Sequence, residues 1–120
     1  MRISIVGVTG NLGSGFAVRW SIKHDIIIGS RMLDKAQLRV YELEKTARQF
    51  YKSEMQGSIE GLLNIDAVKK SEIIVVTLPP EITKSAMMEL KTNLNPRQII
   101  VSTIVPMTKK KASSNIWILQ

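Results

Sequence analysis

A chain of 120 residues, 44% hydrophobic and only 5% aromatic, is expected to fold as one domain spanning residues 1–120 around an aliphatic core. Seventeen basic against ten acidic residues give a net charge of +7, but the basic residues are scattered, form their only run of three at Lys109-Lys110-Lys111 and do not interleave with aromatics, a pattern that suits anionic small ligands and argues against nucleic acid. The lack of cysteine excludes disulfides and thiolate chemistry, one histidine argues against structural zinc, and an N-terminus entering a strand at once, with no apolar run of membrane-spanning length, makes a cytoplasmic location and no membrane partner the expectation.

The first stretch, Arg2-Ile3-Ser4-Ile5-Val6, is a β-branched run suited to a buried parallel strand. It breaks into Gly7-Val8-Thr9-Gly10-Asn11-Leu12-Gly13 before a helix begins. The usual dinucleotide fingerprint is G-x-G-x-x-G/A, with its first glycine where Val8 stands. Gly10 and Gly13 keep the roles of close approach to phosphate and close helix–strand packing, and Gly7 supplies the turn one residue early. The helix N-terminus then points free N–H groups at a diphosphate. The other reading of this stretch is a strand–turn–helix whose glycines serve packing alone.

Residues 11 to about 23 read as a helix with Leu12, Phe16, Ala17 and Trp20 on the face turned to the sheet. His24 falls in the following turn and receives no chemical role. Asp25-Ile26-Ile27-Ile28-Gly29 is the second strand, which completes a strand–helix–strand crossover unit. An NAD-binding fold normally ends this strand with an Asp or Glu that bonds the ribose 2′-OH. Here the chain reads Gly29-Ser30-Arg31, with Lys35 one helical step beyond. A hydroxyl, a guanidinium and an ammonium suit a 2′-phosphate, so NADP is expected over NAD. The alternative is a solvated loop with a capping serine.

From 33 to about 52 runs the longest helix, with an apolar stripe of Leu33, Ala36, Val40, Leu43, Ala47 and Phe50 and a wetter side holding Glu42, Glu44, Lys45 and Arg48. Residues 56–62 form a weak strand, expected at an edge, and Asn64 is expected to cap a short helix through Lys70. Residues 72–78, Glu-Ile-Ile-Val-Val-Thr-Leu, are a buried parallel strand ended by Pro79-Pro80. A helix from 81 to about 94 follows, in which Met87, Met88 and Leu90 read as core and interface filler. Asn95-Pro96 closes it, and residues 98–102 form a fifth strand.

This order gives an α/β, doubly wound parallel sheet of the Rossmann type, five or six strands with helices on both faces, the sixth strand offered by residues 115–120. Its ligand belongs over the carboxyl ends of the strands. Residues 7–13 and 29–31 would hold the diphosphate and the phosphorylated ribose. Thr77, Leu78, Pro79 and the 102–106 segment beginning at Ser102 would lie near the nicotinamide. For Thr77 and Ser102, ordinary strand-end hydrogen bonding is the alternative. No nucleophile–base pair, metal-ligand set or paired carboxylate is present in the pattern, so no catalytic side chain and no metal ligand is named.

The runs Gly-Val-Thr-Gly-Asn-Leu-Gly, Ile-Gly-Ser-Arg with a nearby Lys, Val-Thr-Leu-Pro and Val-Ser-Thr-Ile-Val-Pro together resemble the N-terminal domain of the reductases that exchange hydride between NADP and the deazaflavin coenzyme F420, found mainly in archaea. The resemblance covers nearly the whole chain. It implies that Thr9, Gly10, Asn11 and Leu12 contact the NADP phosphates and that Ser30, Arg31 and Lys35 hold the 2′-phosphate. The chain departs from the family at Val8, where a second glycine is usual, and at Pro80, where a bulky residue such as Trp is common. The family also has a largely helical C-terminal part, expected to be absent here, that helps to enclose the deazaflavin and supports dimerisation. The implied reaction is direct hydride transfer between two stacked rings, in which the protein supplies position, electrostatics and exclusion of water. Two other functions fit the same residues: a non-catalytic NADP(H)-binding domain acting as redox sensor or subunit of a larger assembly, and reduction of a different acceptor such as a ferric complex or flavin.

Overall fold

The computed structural model describes residues 1–7, 11–103, 111–113 and 116–117. Five strands form one parallel sheet: β1 (Arg2–Val6), β2 (Asp25–Ser30), β3 (Ser58–Leu63), β4 (Ile73–Val76) and β5 (Ile99–Ser102), in the order β3-β2-β1-β4-β5. The order reverses between β1 and β4, so the carboxyl ends of these neighbours mark the switch point at which a doubly wound sheet opens its crevice. β1 sits at the centre because both of its neighbours need a partner buried on two faces. Ile3, Ser4, Ile5 and Val6 are all buried, and they pair with residues 26–29 on one side and 73–76 on the other.

Strand periodicity divides this core in two. Ile3, Ile5, Ile26, Ile28 and Val75 pack under α1 (Asn11–Trp20) and α2 (Leu33–Tyr51) through Ala17, Val40, Leu43 and Ala47. Val6, Ile74 and Val76 pack with Val68 of α3 (Asn64–Lys70) and Leu90 of α4 (Pro80–Leu90). Ser4, the one buried polar residue in the central strand, has no exposed surface and its hydroxyl meets that of Ser71 at 2.8 Å. Ser71 in turn donates to the Val68 carbonyl at 3.3 Å, so the polar pair needs no water.

The third strand lies at the edge, as its composition suggests. Several element details differ from the sequence expectation. α1 ends at Trp20, not near 23, because the carbonyls of Ser21 and Ile22 accept from Gly57 and Gln56 ahead of β3. The apolar stripes are shorter than their periodicity implies: Leu12 is 51% exposed, and Leu33 and Phe50, at the two ends of α2, are also outside the core, only its middle turns covering the sheet. Met88 is 67% exposed and fills no core, whereas Leu90 does. Among the described residues the parallel sheet has five strands, the lower of the two numbers expected. Ile116–Trp117 pairs antiparallel with Lys111–Ser113 as a separate two-stranded ribbon, and the rest of the stretch offered as a sixth strand lies outside the described residues.

Candidate functional site

The chain leaves β1 through Gly7, whose φ of +92° is a conformation that side chains with a Cβ rarely adopt. The turn is pinned from the neighbouring strand. Thr77 N–H donates to the Val6 carbonyl at 3.0 Å, and the Thr77 hydroxyl lies 3.0 Å from the Gly7 carbonyl and 3.2 Å from that of Val6. Leu78 then packs directly on Gly7. The carboxyl ends of β1 and β4 are thereby locked into one wall.

The adjacent wall comes from β2. Gly29 lies against Asn64 at the start of α3, so closely that a Cβ on Gly29 would stand 2.5 Å from Asn64 Oδ1. Ser30 follows, its hydroxyl oxygen accepting from the Met32 N–H at 3.2 Å, which leaves the hydroxyl hydrogen free for a ligand. Arg31 and Lys35 are exposed and form no ion pair among the described residues. Asp34 is spent on the Lys35 backbone N–H at 2.9 Å.

These walls enclose an open cavity of about 620 Å³. Of the residues singled out from the sequence, Gly7, Ser30, Arg31, Lys35 and Leu78 line it together. Thr77 braces its edge, and Pro79 stands immediately before the first residue of α4 and is exposed. Gly13 is buried within α1, consistent with close packing of helix on strand, while Leu12 faces outward. Asn11 is the first residue of α1. Ser102 ends β5 and does not line the cavity. Thr9 and Gly10, and residues 104–106 of the expected fourth wall, lie outside the described residues.

Sequence reasoning missed the rest of the lining. Asn64 does not cap α3: the cap position is Leu63 and no side chain bonds the free N–H groups there. Instead Asn64 is the first helical residue, and its Oδ1 is buried at the cavity wall without a hydrogen-bond partner among the described residues. Such an atom costs about 1–3 kcal/mol until a donor reaches it. Leu38, Arg39 and Glu42 of α2 and Ile82, Ala86 and Glu89 of α4 also line the cavity. The signal for Arg39 was present, one helical turn beyond Lys35 on the same face. Nothing in the α4 sequence showed which neighbour its Ile82–Ala86–Glu89 face would meet.

The arrangement has a cationic, hydroxyl-bearing end set against glycine backbone, and mostly apolar walls. It suits an anionic ligand with a flat apolar part. Among the described residues no group of His, Asp or Glu is placed to hold a metal ion, and no helix is long and apolar enough to cross a membrane.

Comparison with known proteins agrees with this geometry. The family described as NADP oxidoreductase, coenzyme F420-dependent, matches residues 2–106. A protein of Methanocaldococcus jannaschii named F420-dependent NADP reductase is 39% identical over 108 residues, covering 89% of this chain and 46% of that protein. Its namesake in Methanothermobacter thermautotrophicus is 27% identical over 105 residues, 87% of this chain and 43% of the relative. The chain therefore spans less than half the length of these curated relatives. Among solved structures, malate dehydrogenase from Aeropyrum pernix superposes with a TM-score of 0.68 at 23% identity, over 87% of this chain and 36% of the enzyme. Lactate dehydrogenase from Eimeria maxima gives 0.69 at 14% identity, over 88% and 36%. At such identities these two likenesses speak for the Rossmann fold alone.

Proposed function

Since the chain belongs to the family of coenzyme F420-dependent NADP oxidoreductases, we propose that residues 1–120 are an NADP-binding Rossmann domain and that it serves hydride exchange between NADP(H) and the deazaflavin. The observation that carries this reading is the end of β2. Where an NAD-binding fold places a carboxylate, the chain has Ser30-Arg31, and both line one cavity with Lys35. A free hydroxyl hydrogen, a guanidinium fork and an ammonium match a 2′-phosphate, which would repel a carboxylate.

The residues fit the cofactor. Gly7, with its positive φ, brings bare backbone to the crevice, and the Gly7 to Gly13 stretch, including Thr9, Gly10, Asn11 and Leu12, is assigned to the diphosphate. Thr77, Leu78, Pro79 and Ser102 are assigned to the nicotinamide end. NADP, when bound, supplies the carbon that gives or takes the hydride. The chain's own part is to bind and orient. Arg31 and Lys35 anchor one end, the Thr77 brace fixes the Gly7 turn, and Leu78 keeps water from that wall. The hydride passes directly between the two rings and the proton that the reduced deazaflavin gives up is left to solvent, so no acid, base or nucleophile of the chain is assigned. A cytoplasmic location and a homodimer belong to the same proposal, the latter tested by sedimentation of the purified chain.

The test is calorimetric titration with NADP and, separately, with NAD. NADP is expected to bind at least about tenfold more tightly, a gap of about 1.4 kcal/mol. Equal affinities would remove the 2′-phosphate site. Hydride exchange with the deazaflavin by the same preparation supports the enzyme, whereas tight NADP binding without turnover on any acceptor identifies a nucleotide-binding subunit.

A further inference from the structure

The cavity lining holds two carboxylates, Glu42 and Glu89, beside its cations and the Ser30 hydroxyl, and a 2′-phosphate accounts only for the latter groups. On α2, Lys35, Leu38, Arg39 and Glu42 follow one another at intervals of three, one and three residues and so share one helix face. On α4, Ile82, Ala86 and Glu89 do the same at intervals of four and three. Seven residues of α-helix rise about 10 Å, the length of a nucleoside from its sugar to the far edge of its base. Both faces line the same cavity. The α2 face thus runs from Lys35, beside Ser30 and Arg31 in the chain, to the carboxylate of Glu42, and the α4 face runs from the apolar Ile82 and Ala86 to the carboxylate of Glu89.

The two carboxylates are not equivalent. Glu42 is engaged by Arg39, Oε2 to Nη1 at 3.3 Å, while Glu89 forms no ion pair among the described residues. We infer that Glu89 reads the base of the bound nucleotide by accepting a hydrogen bond from the exocyclic 6-amino group of adenine. This rests on the cofactor reading and deepens it. With the 2′-phosphate held by Arg31 and Lys35, the adenine lies between the Leu38–Arg39 and Ile82–Ala86 walls, its amino edge toward Glu89. An ionised carboxylate has acceptors only. At the place of the 6-substituent it is satisfied by an amino group and repelled by the lone pairs of a carbonyl oxygen, and hypoxanthine can offer it a donor, N1–H, only after the ring shifts, so the cavity favours adenine over hypoxanthine.

The test compares NADP with its hypoxanthine analogue, in which the 6-amino group is an oxygen and the 2′-phosphate is unchanged. The Arg31 and Lys35 contribution then cancels. Calorimetric titration of the wild-type chain is expected to show NADP binding about tenfold more tightly than the analogue, the worth of one hydrogen bond to a charged group. Glu89→Ala, at an exposed helix position where alanine keeps the fold, is expected to bring the two affinities together. Glu89→Gln, which offers a carbonyl and an amide, is expected to lie between. Equal affinities in the wild type, or a gap that survives Glu89→Ala, would overturn the assignment while leaving the 2′-phosphate site standing. Failure of both dinucleotides to bind would overturn the cofactor reading and this one together.

Discussion

Gly7 and Leu78 fit against each other with no room for a methyl group: a Cβ on Gly7 would stand 2.6 Å from Leu78 Cδ2 and 3.0 Å from the Leu78 backbone nitrogen. Gly7 also holds a φ of +92°. Gly7→Ala therefore meets two penalties, a strained backbone and a crowded neighbour one strand away. The expected loss is about 2–4 kcal/mol of folding stability, with NADP binding impaired as well. Urea unfolding reads the first and calorimetry the second. A loss below about 0.5 kcal/mol, the range of an ordinary surface substitution, would mean that the turn relaxes freely and that Gly7 is no constraint on the crevice.

Arg31 is exposed and has no ion-pair partner among the described residues, so its removal should leave the fold alone. Its effect belongs to the ligand. A charge-assisted bond to a phosphate is worth about 1.5–3 kcal/mol, so Arg31→Ala is expected to weaken NADP by about ten- to a hundredfold and to change NAD little. Raised salt should narrow the wild-type preference, since the site is open to solvent. Titrations of both nucleotides with the variant decide it, and equal losses for the two would place Arg31 outside the 2′-phosphate site.

The contact of Gly29 with Asn64 makes a separable pair. A methyl at residue 29 would press on Asn64 Oδ1 at 2.5 Å, while Ala67 Cβ, at 3.4 Å, is an ordinary neighbour. Gly29→Ala is expected to cost about 1–3 kcal/mol. In an Asn64→Ala background the obstacle is gone and most of that cost should vanish, giving a coupling energy of at least about 1 kcal/mol by double-mutant cycle. Additive losses would show that the strand, not the asparagine, resists the added methyl.

The strands were legible because burial on two faces leaves a plain mark. Ile26-Ile27-Ile28 and Ile73 to Val76 can be little else, and the weaker 56–62 stretch reads as an edge for the same reason in reverse. The grouping of Ser30, Arg31 and Lys35 in one cavity was legible, since local order and helix spacing put a hydroxyl and two cations together. What stayed hidden depends on long-range pairing. Ser4 looks like an interruption of its strand until Ser71 is found beside it. Asn64 sits at a helix start and carries the residue type of a cap, yet its side chain turns inward against β2. Periodicity shows that α4 has an Ile82–Ala86–Glu89 face but not that this face meets α2 across a cavity. The same periodicity overstated the cores of α1 and α2, because it cannot say where a helix runs past its sheet.

Thr77 separates bracing from contact. Its hydroxyl has one hydrogen, placed between the carbonyls of Gly7 at 3.0 Å and Val6 at 3.2 Å, and so ties the end of β4 to the turn that leaves β1. Thr77→Val keeps the shape of the side chain and removes that tie, leaving a half-buried carbonyl short of a donor. The expected cost is about 1–2 kcal/mol in stability, accompanied by a several-fold weakening of NADP as the Gly7 turn loosens. Thr77→Ser restores the hydroxyl without the methyl and should recover both quantities. If the serine variant recovers stability but not affinity, the methyl itself touches the nucleotide. If Thr77→Val unfolds at the wild-type urea concentration and binds NADP as before, the hydroxyl strap between the two strand ends plays no part in shaping the crevice, and the turn is held by the backbone N–H of residue 77 and by Leu78.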